Sequence, residues 1–150
     1  LKRSNAVSHL LVGIVAKGGN YMLKVGPGPD VTLHPEDISR MWDIGEWMKI
    51  NEDAIYGTRP VYPYRIDQVR LTRKKDGRIF AIYLCDEQQN KLPARIPLTG
   101  MENLKTGKVK IKGSEVKASL RQDRNGYWIE VPPGLQNNIP NAHAIVFCLP

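Results

Sequence analysis

Carboxylates are the groups with which this chain would do acid–base or nucleophilic chemistry, and seven of them, Asp30, Glu36, Asp37, Asp43, Glu46, Glu52 and Asp53, fall in one short stretch. Such chemistry needs two groups of opposite protonation state facing one substrate. All but Asp30 lie on or beside a segment that reads as helix, so they read as dipole partners and solvated charges. Asp30 stands apart, in the proline- and glycine-rich loop that follows the apolar run Tyr21-Met22-Leu23-Lys24-Val25. Lys24, Gly26, Pro27 and Asp30 are therefore the candidate site residues, because loops after the strands of a barrel line its active site. Lys24 either points into a polar barrel mouth or runs its stem out of a half-buried strand end.

Other chemistries find less material. Gly26-Pro27-Gly28-Pro29 has neither the G-x-G-x-x-G spacing nor a Gly-Lys-Ser/Thr ending, and its prolines remove N–H groups that would hold a phosphate. Two cysteines and the scattered His9, His34 and His143 supply no metal framework, and no cofactor is called for. Cys85 and Cys148 sit in apolar strand-like runs, which favours buried free thiols over a disulfide. Trp42, Trp47 and Tyr56 read as core, and of Tyr127 and Trp128 strand alternation turns one inward, leaving at most one to stack on a sugar.

Lys and Arg number 22 against 15 acidic residues, and all the excess lies after residue 60. Lys108, Lys110 and Lys112 alternate with Val109 and Ile111, placing three lysines on one solvated face, as in an edge strand guarded against aggregation. No aromatic residues interleave with them as a base-stacking platform requires, so nucleic acid is not an expected partner. No apolar run is long enough to span a bilayer.

The elements that must position these residues change character near residue 60. Val7, Leu10, Leu11, Ile14 and Val15 follow helical spacing from Ser4 to Lys17, and Gly18-Gly19 ends that helix. Asn20 to Val25 reads as a strand buried on both faces. Pro35 opens a second helix reaching to about Asn51, with an inner stripe of Ile38, Met41, Trp42, Gly45 and Met48 that Ile44 and Trp47 widen. Helix, strand, loop and helix with no partner strand cannot bury their faces alone, so the first third reads as part of a larger α/β domain, and a start at Leu1 rather than Met agrees.

After Thr58-Arg59-Pro60 and the aromatic, proline-rich Val61-Tyr62-Pro63-Tyr64 the period becomes two. Val69 and Leu71 lead through Lys75-Asp76-Gly77 into Arg78–Cys85, apolar on both faces, a strong hairpin signal. Leu92 to Leu98, the Val109 strand, Asn125-Gly126 with Tyr127–Val131, and Ala142–Leu149 complete six or so strands of an antiparallel sandwich.

These residues carry a family resemblance. Lys17-Gly18-Gly19-Asn20, Leu23-Lys24-Val25-Gly26-Pro27 with Asp30, Ile44 to Asn51, and Ala54-Ile55-Tyr56-Gly57-Thr58-Arg59-Pro60 closely resemble the end of the catalytic domain of α-L-fucosidases, glycoside hydrolase family 29. The likeness is continuous over residues 5–60 and looser beyond. It implies a fold in which residues 1–60 are the α/β remnant of a (β/α)8-like barrel and residues 61–150 an all-β antiparallel sandwich. It implies retaining hydrolysis of terminal α-L-fucosyl linkages, with an aspartate nucleophile and a carboxylic acid/base. In the family those carboxylates come from earlier barrel strands, so no catalytic residue is carried over to this chain, which alone is expected to be inactive. The implied partner is a fucosylated oligosaccharide or glycoconjugate in a secreted, periplasmic or lysosomal setting. Exposed helix stripes would leave the isolated chain prone to self-association. Where many members have Asp-Gly this chain has Asp30-Val31, and the loss of glycine's left-handed freedom predicts a different loop path. The alternative reading is a non-catalytic carbohydrate-binding or scaffolding sandwich.

Overall fold

The computed structural model describes residues 4–139 and 143–150. Ala142, the expected first residue of the last strand, lies outside them. Helix α1, Ser4–Ala16, closes on a left-handed Gly18 with φ +84°. Gly19 N–H reaches back to Ile14 O and Gly18 N–H to Val15 O, both at 2.9 Å, the paired bonds of a Schellman cap. Helix α2, Pro35–Asn51, starts on the His34 side chain, which accepts the Glu36 N–H, and runs into a single 3-10 turn at Glu52–Ala54.

The segment between the helices corrects the expectation of a buried strand. Residues 20–25 form no ladder, and Met22 and Leu23 are exposed. Among the described residues no neighbouring strand takes their backbone hydrogen bonds, and a parallel-type strand has no stability without one.

Eight strands follow: β1 Thr58–Ile66, β2 Val69–Lys74, β3 Ile79–Leu84, β4 Arg95–Leu98, β5 Gly107–Ile111, β6 Lys117–Asp123, β7 Gly126–Glu130 and β8 Ala144–Cys148. A short helix, α3 Pro133–Gln136, precedes β8. All described pairings are antiparallel, in the order β1-β2-β3-β8-β5-β6-β7-β4. One face of this sheet, from Leu71 in β2 through Phe147 in β8 to Ile129 in β7 and Leu98 in β4, lines a common core. The expected sandwich is thus one mostly antiparallel sheet folded over its own core, barrel-like but not closed, since its end strands β1 and β4 do not pair.

The outer face of β3 and β8 carries a second core. Phe80, Ile82, Leu84, Ala144 and Val146 pack against Val12 of α1, Trp47 of α2 and Ala54-Ile55. Strands β3 and β8 are apolar on both faces because they are covered on both. The helices meet this layer by only part of the expected stripes: Leu11 and Val15 of α1 and Trp47 and Met48 of α2 pack on it, and Val7 is buried. Val7, Ser8, Val12 and Ala16 are the buried residues of α1, whereas Leu10 and Ile14 are half-buried. In α2 the C-terminal half docks through Trp47 and Asn51, while Ile38 and Trp42 face solvent. Trp42 is 65% and Tyr56 64% exposed, which overturns their reading as core; Trp47, at 1%, upholds its own.

No disulfide joins Cys85 and Cys148. Cys85 belongs to the inner core and Cys148 packs on the outer one, five residues apart along paired strands, or roughly 17 Å. That separation forbids a disulfide. Burial pushes the Cys85 thiol up to about 12 and raises that of Cys148.

Candidate functional site

The two stretches most specific to the family resemblance meet in space. Lys17 to Tyr21 and Ile55 to Pro60 line one cleft of about 580 Å³, floored by Leu11 and Val15 of α1. Gly18 makes the meeting possible: a Cβ there would lie 2.9 Å from Pro60 Cγ, and one on Gly19 2.9 Å from Ile14 Cγ2. The cap of α1 and the start of β1 are thus fitted to each other at backbone distance. Lys17 and Arg59 give the cleft charge, but no carboxylate lines it.

Lys24 lines a smaller hollow of about 220 Å³ with Asp37 and Arg40, which sit 3.5 Å apart as an ion pair. Gly26, Pro27 and Asp30 lie in the exposed loop that follows. There Gly28 N–H bonds Thr32 O at 2.8 Å, and Asp30 accepts both the Thr32 hydroxyl at 2.7 Å and its N–H at 3.2 Å. These bonds hold the Asp30 carboxyl below the usual carboxylate range, so it stays charged and orders a turn. Val31 keeps the left-handed conformation, φ +62°, that a glycine would take. The premise that valine would avoid this conformation is corrected: the Asp30–Thr32 bonds and the Val31 N–H to Gly28 O bond at 3.0 Å impose the turn on a β-branched residue.

The helix carboxylates are occupied as expected. Glu36 pairs with Arg40 at 3.4 Å and Glu46 with Lys49. Asp53 is different, and nothing in its sequence surroundings marks it. It bonds Lys112 Nζ at 2.9 Å, with Lys74 Nζ at 3.5 Å and Arg78 Nη1 at 3.9 Å, tying the end of α2 to the end of β2, the residue before β3 and the residue after β5. The Lys112 hydrogen bond first, then its charge, lower the Asp53 carboxyl. Across four clefts among the described residues, Glu115 is the carboxylate that lines one and Asp37 the carboxylate that lines another. Among the described residues no three of His, Cys, Asp and Glu gather in metal-binding range, and no helix is long and apolar enough to cross a membrane.

Polar pegs fasten the helical layer. Trp47 Nε1 donates to Ala144 O at 2.9 Å, Thr72 Oγ1 to Ala54 O at 2.8 Å, and His9 Nε2 to His143 O at 2.9 Å. In the sheet, Tyr127 turns inward, its hydroxyl donating to Leu104 O at 3.0 Å and accepting Leu104 N–H at 3.2 Å. Trp128 therefore faces out, half-buried, with the Arg95 guanidinium 4.9 Å from its ring centre.

Comparison with known proteins bears on this geometry. Residues 1–53 match the family model for α-L-fucosidase. The tissue α-L-fucosidase of Bos taurus is 44% identical over 127 residues, covering 81% of this chain and 26% of that protein. The α-L-fucosidase of Dictyostelium discoideum is 30% identical over 129 residues, covering 81% and 27%. The solved α-fucosidase of Thermotoga maritima in complex with fucose is 28% identical, with a TM-score of 0.79, and its match covers all of this chain and 35% of that one. The chain spans about a quarter of the length of these curated relatives and about a third of that solved one.

Proposed function

Since this chain belongs with the α-L-fucosidases in sequence and in fold, we propose that it is the C-terminal portion of a retaining α-L-fucosidase acting on terminal α-L-fucosyl groups of glycans. In this reading residues 1–60 close a (β/α)8-like barrel and residues 61–150 form the sandwich that braces it. The observation that carries the reading is the cleft in which Lys17 to Tyr21 and Ile55 to Pro60 come together, since the resemblance rests on those same two stretches. The unladdered segment at residues 20–25 and the exposed Met22, Val31 and Trp42 are the faces that the rest of a barrel would cover. Left uncovered, they make the isolated chain self-associate.

The division of labour follows from the carboxylates. The double displacement needs a nucleophile that bonds the anomeric carbon and an acid that protonates the leaving oxygen, then deprotonates water, with carboxyl groups about 5 Å apart. Among the described residues none of the four clefts above is lined by two carboxylates, which supports placing both groups upstream of Leu1. Lys24 and the loop of Gly26, Pro27 and Asp30 belong to the barrel rim. Asp30, locked on Thr32, shapes that rim and transfers no proton. The test is to treat the protein extended upstream of Leu1 with 2-fluoro-fucosyl fluoride and map the adduct by peptide mass spectrometry. The expected label is on an aspartate upstream of residue 1. A label on Asp30, Asp37 or any other residue of this chain overturns the assignment.

A further inference from the structure

The outer face of β4, β5, β6 and β7 carries an excess of positive charge in an arrangement that the fold does not require. Alternation brings Arg95 of β4, Lys108 and Lys110 of β5, and Lys117 and Arg121 of β6 to this face, all exposed. Two carboxylates share it. Glu130 pairs with Arg121, and Asp123 accepts the Asn125 N–H in the β6–β7 turn.

Lys110 stands directly opposite Lys117 across the β5–β6 ladder, a like-charge pairing that costs stability. Protection of an edge does not explain it, and the expectation of an edge strand is corrected here: β5 lies between β8 and β6, and β6 between β5 and β7. Lys112, the third lysine of the run, leaves the strand to bind Asp53. The helical layer covers β3 and β8 and leaves this face open.

The surface is also continuous. A hollow of about 490 Å³ is lined by Lys108, Ser119, Arg121 and Trp128, and Lys108 borders a second of about 570 Å³ lined also by Lys110 and Lys117, with Glu115 as its carboxylate. At one end the Trp128 ring lies beside Arg95, a stacked aromatic and cation.

We propose that this face binds a linear anionic polysaccharide, one carrying sulfate or carboxylate groups on successive sugars, across the Lys110–Lys117 pair. The choice of a glycan rests on the glycosidase reading, whereas the charge pattern stands on its own. Cations fixed on strands about 4.8 Å apart form a lattice that a flexible polyanion can follow. A single-stranded nucleic acid would call for successive aromatic platforms, and this face has one. A duplex groove would call for a protruding helix or ribbon, and the face is a sheet. A membrane surface would call for several apolar side chains to insert, and the outward positions of these strands offer only Pro97 and the half-buried Trp128.

Dextran sulfate is the probe and neutral dextran its control, with binding to this chain followed by calorimetry. The expected result is binding to dextran sulfate that weakens steeply with salt, none to neutral dextran, and about tenfold weaker binding in both Lys110→Glu and Lys117→Glu. Either substitution places opposite charges across the ladder, so its Tm is expected at or above that of the parent, which separates lost binding from lost fold. Lys75→Glu makes the same charge change in the exposed β2–β3 turn and is expected to weaken binding by less than about twofold. The proposal fails if Lys75→Glu weakens binding as much as Lys117→Glu, if dextran sulfate does not bind, or if a polythymidine strand of matched charge binds more tightly. None of these readouts depends on fucoside hydrolysis, so failure here and failure of the fucosidase reading are separable.

Discussion

Val31 shows how much a single backbone angle can reveal. A β-branched residue at φ +62° pays about 1–2 kcal/mol against the αL region, and its side chain is 82% exposed, so little packing repays that cost. Val31→Gly is expected to stabilise the chain by about 0.5–1 kcal/mol, the released strain less glycine's extra chain entropy, read as a rise in Tm. Asp53 makes a second case. Its folded carboxyl titrates below its unfolded value, so the unfolded chain binds the proton more readily and stability falls on acidification. Asp53→Asn is expected to cost about 1 kcal/mol at neutral pH, no more because the side chain is 41% exposed and screened. Denaturant titrations should show the difference shrink and vanish as pH falls below about 4. The sequence marked Asp53 only as one of seven carboxylates; its three cations come from the end of β2, the residue before β3 and the residue after β5, and no local pattern reports such a convergence.

At the scale of elements, the two tryptophans of α2 separate what docks from what waits. Trp47 is buried with its N–H on Ala144 O, and Trp42 faces solvent one and a half turns earlier. Trp47→Phe is expected to cost about 2 kcal/mol by orphaning that carbonyl and leaving a void, and Trp42→Ala less than about 0.5 kcal/mol in this chain. Chemical denaturation of both variants checks the contrast. Helix limits were readable because caps are local: Gly18-Gly19 and Pro35 marked ends that the structure keeps. Which side of α2 docks was not, since Trp42 and Trp47 are equally apolar in sequence and the choice is made by Ala144 on a distant strand. Strand β1 escaped notice for a related reason. Pro60 and Pro63 interrupt any strand pattern in the sequence, yet an edge strand tolerates residues that lack an N–H. Strand β6 was missed because only Ala118 and Leu120 mark its inner face.

The whole molecule is a folded antiparallel sheet with a helical layer on one outer face, and two cores share β3 and β8 between them. Their double apolarity was legible in Arg78–Cys85 and the last strand, but strand order was not. The alternating lysines of β5 looked like an edge guard because sequence gives a strand's faces and never its neighbours. The candidate loop of Lys24, Gly26, Pro27 and Asp30 was found as a loop, and its chemistry is that of a turn. The cleft joining Gly18 to Pro60 was visible in sequence only as two separate stretches. On the function proposed above, a sheet so braced, carrying helices whose other faces are bare, is a platform for a larger catalytic unit.

That claim has a direct test: hydrolysis of a chromogenic α-L-fucoside by this chain and, in parallel, by the protein extended upstream of Leu1. Release of the chromophore by the extended protein alone is the predicted result, since the carboxylate pair of the double displacement would then be present in only one sample. Turnover by the 150 residues themselves would contradict it and place a nucleophile and an acid in this chain.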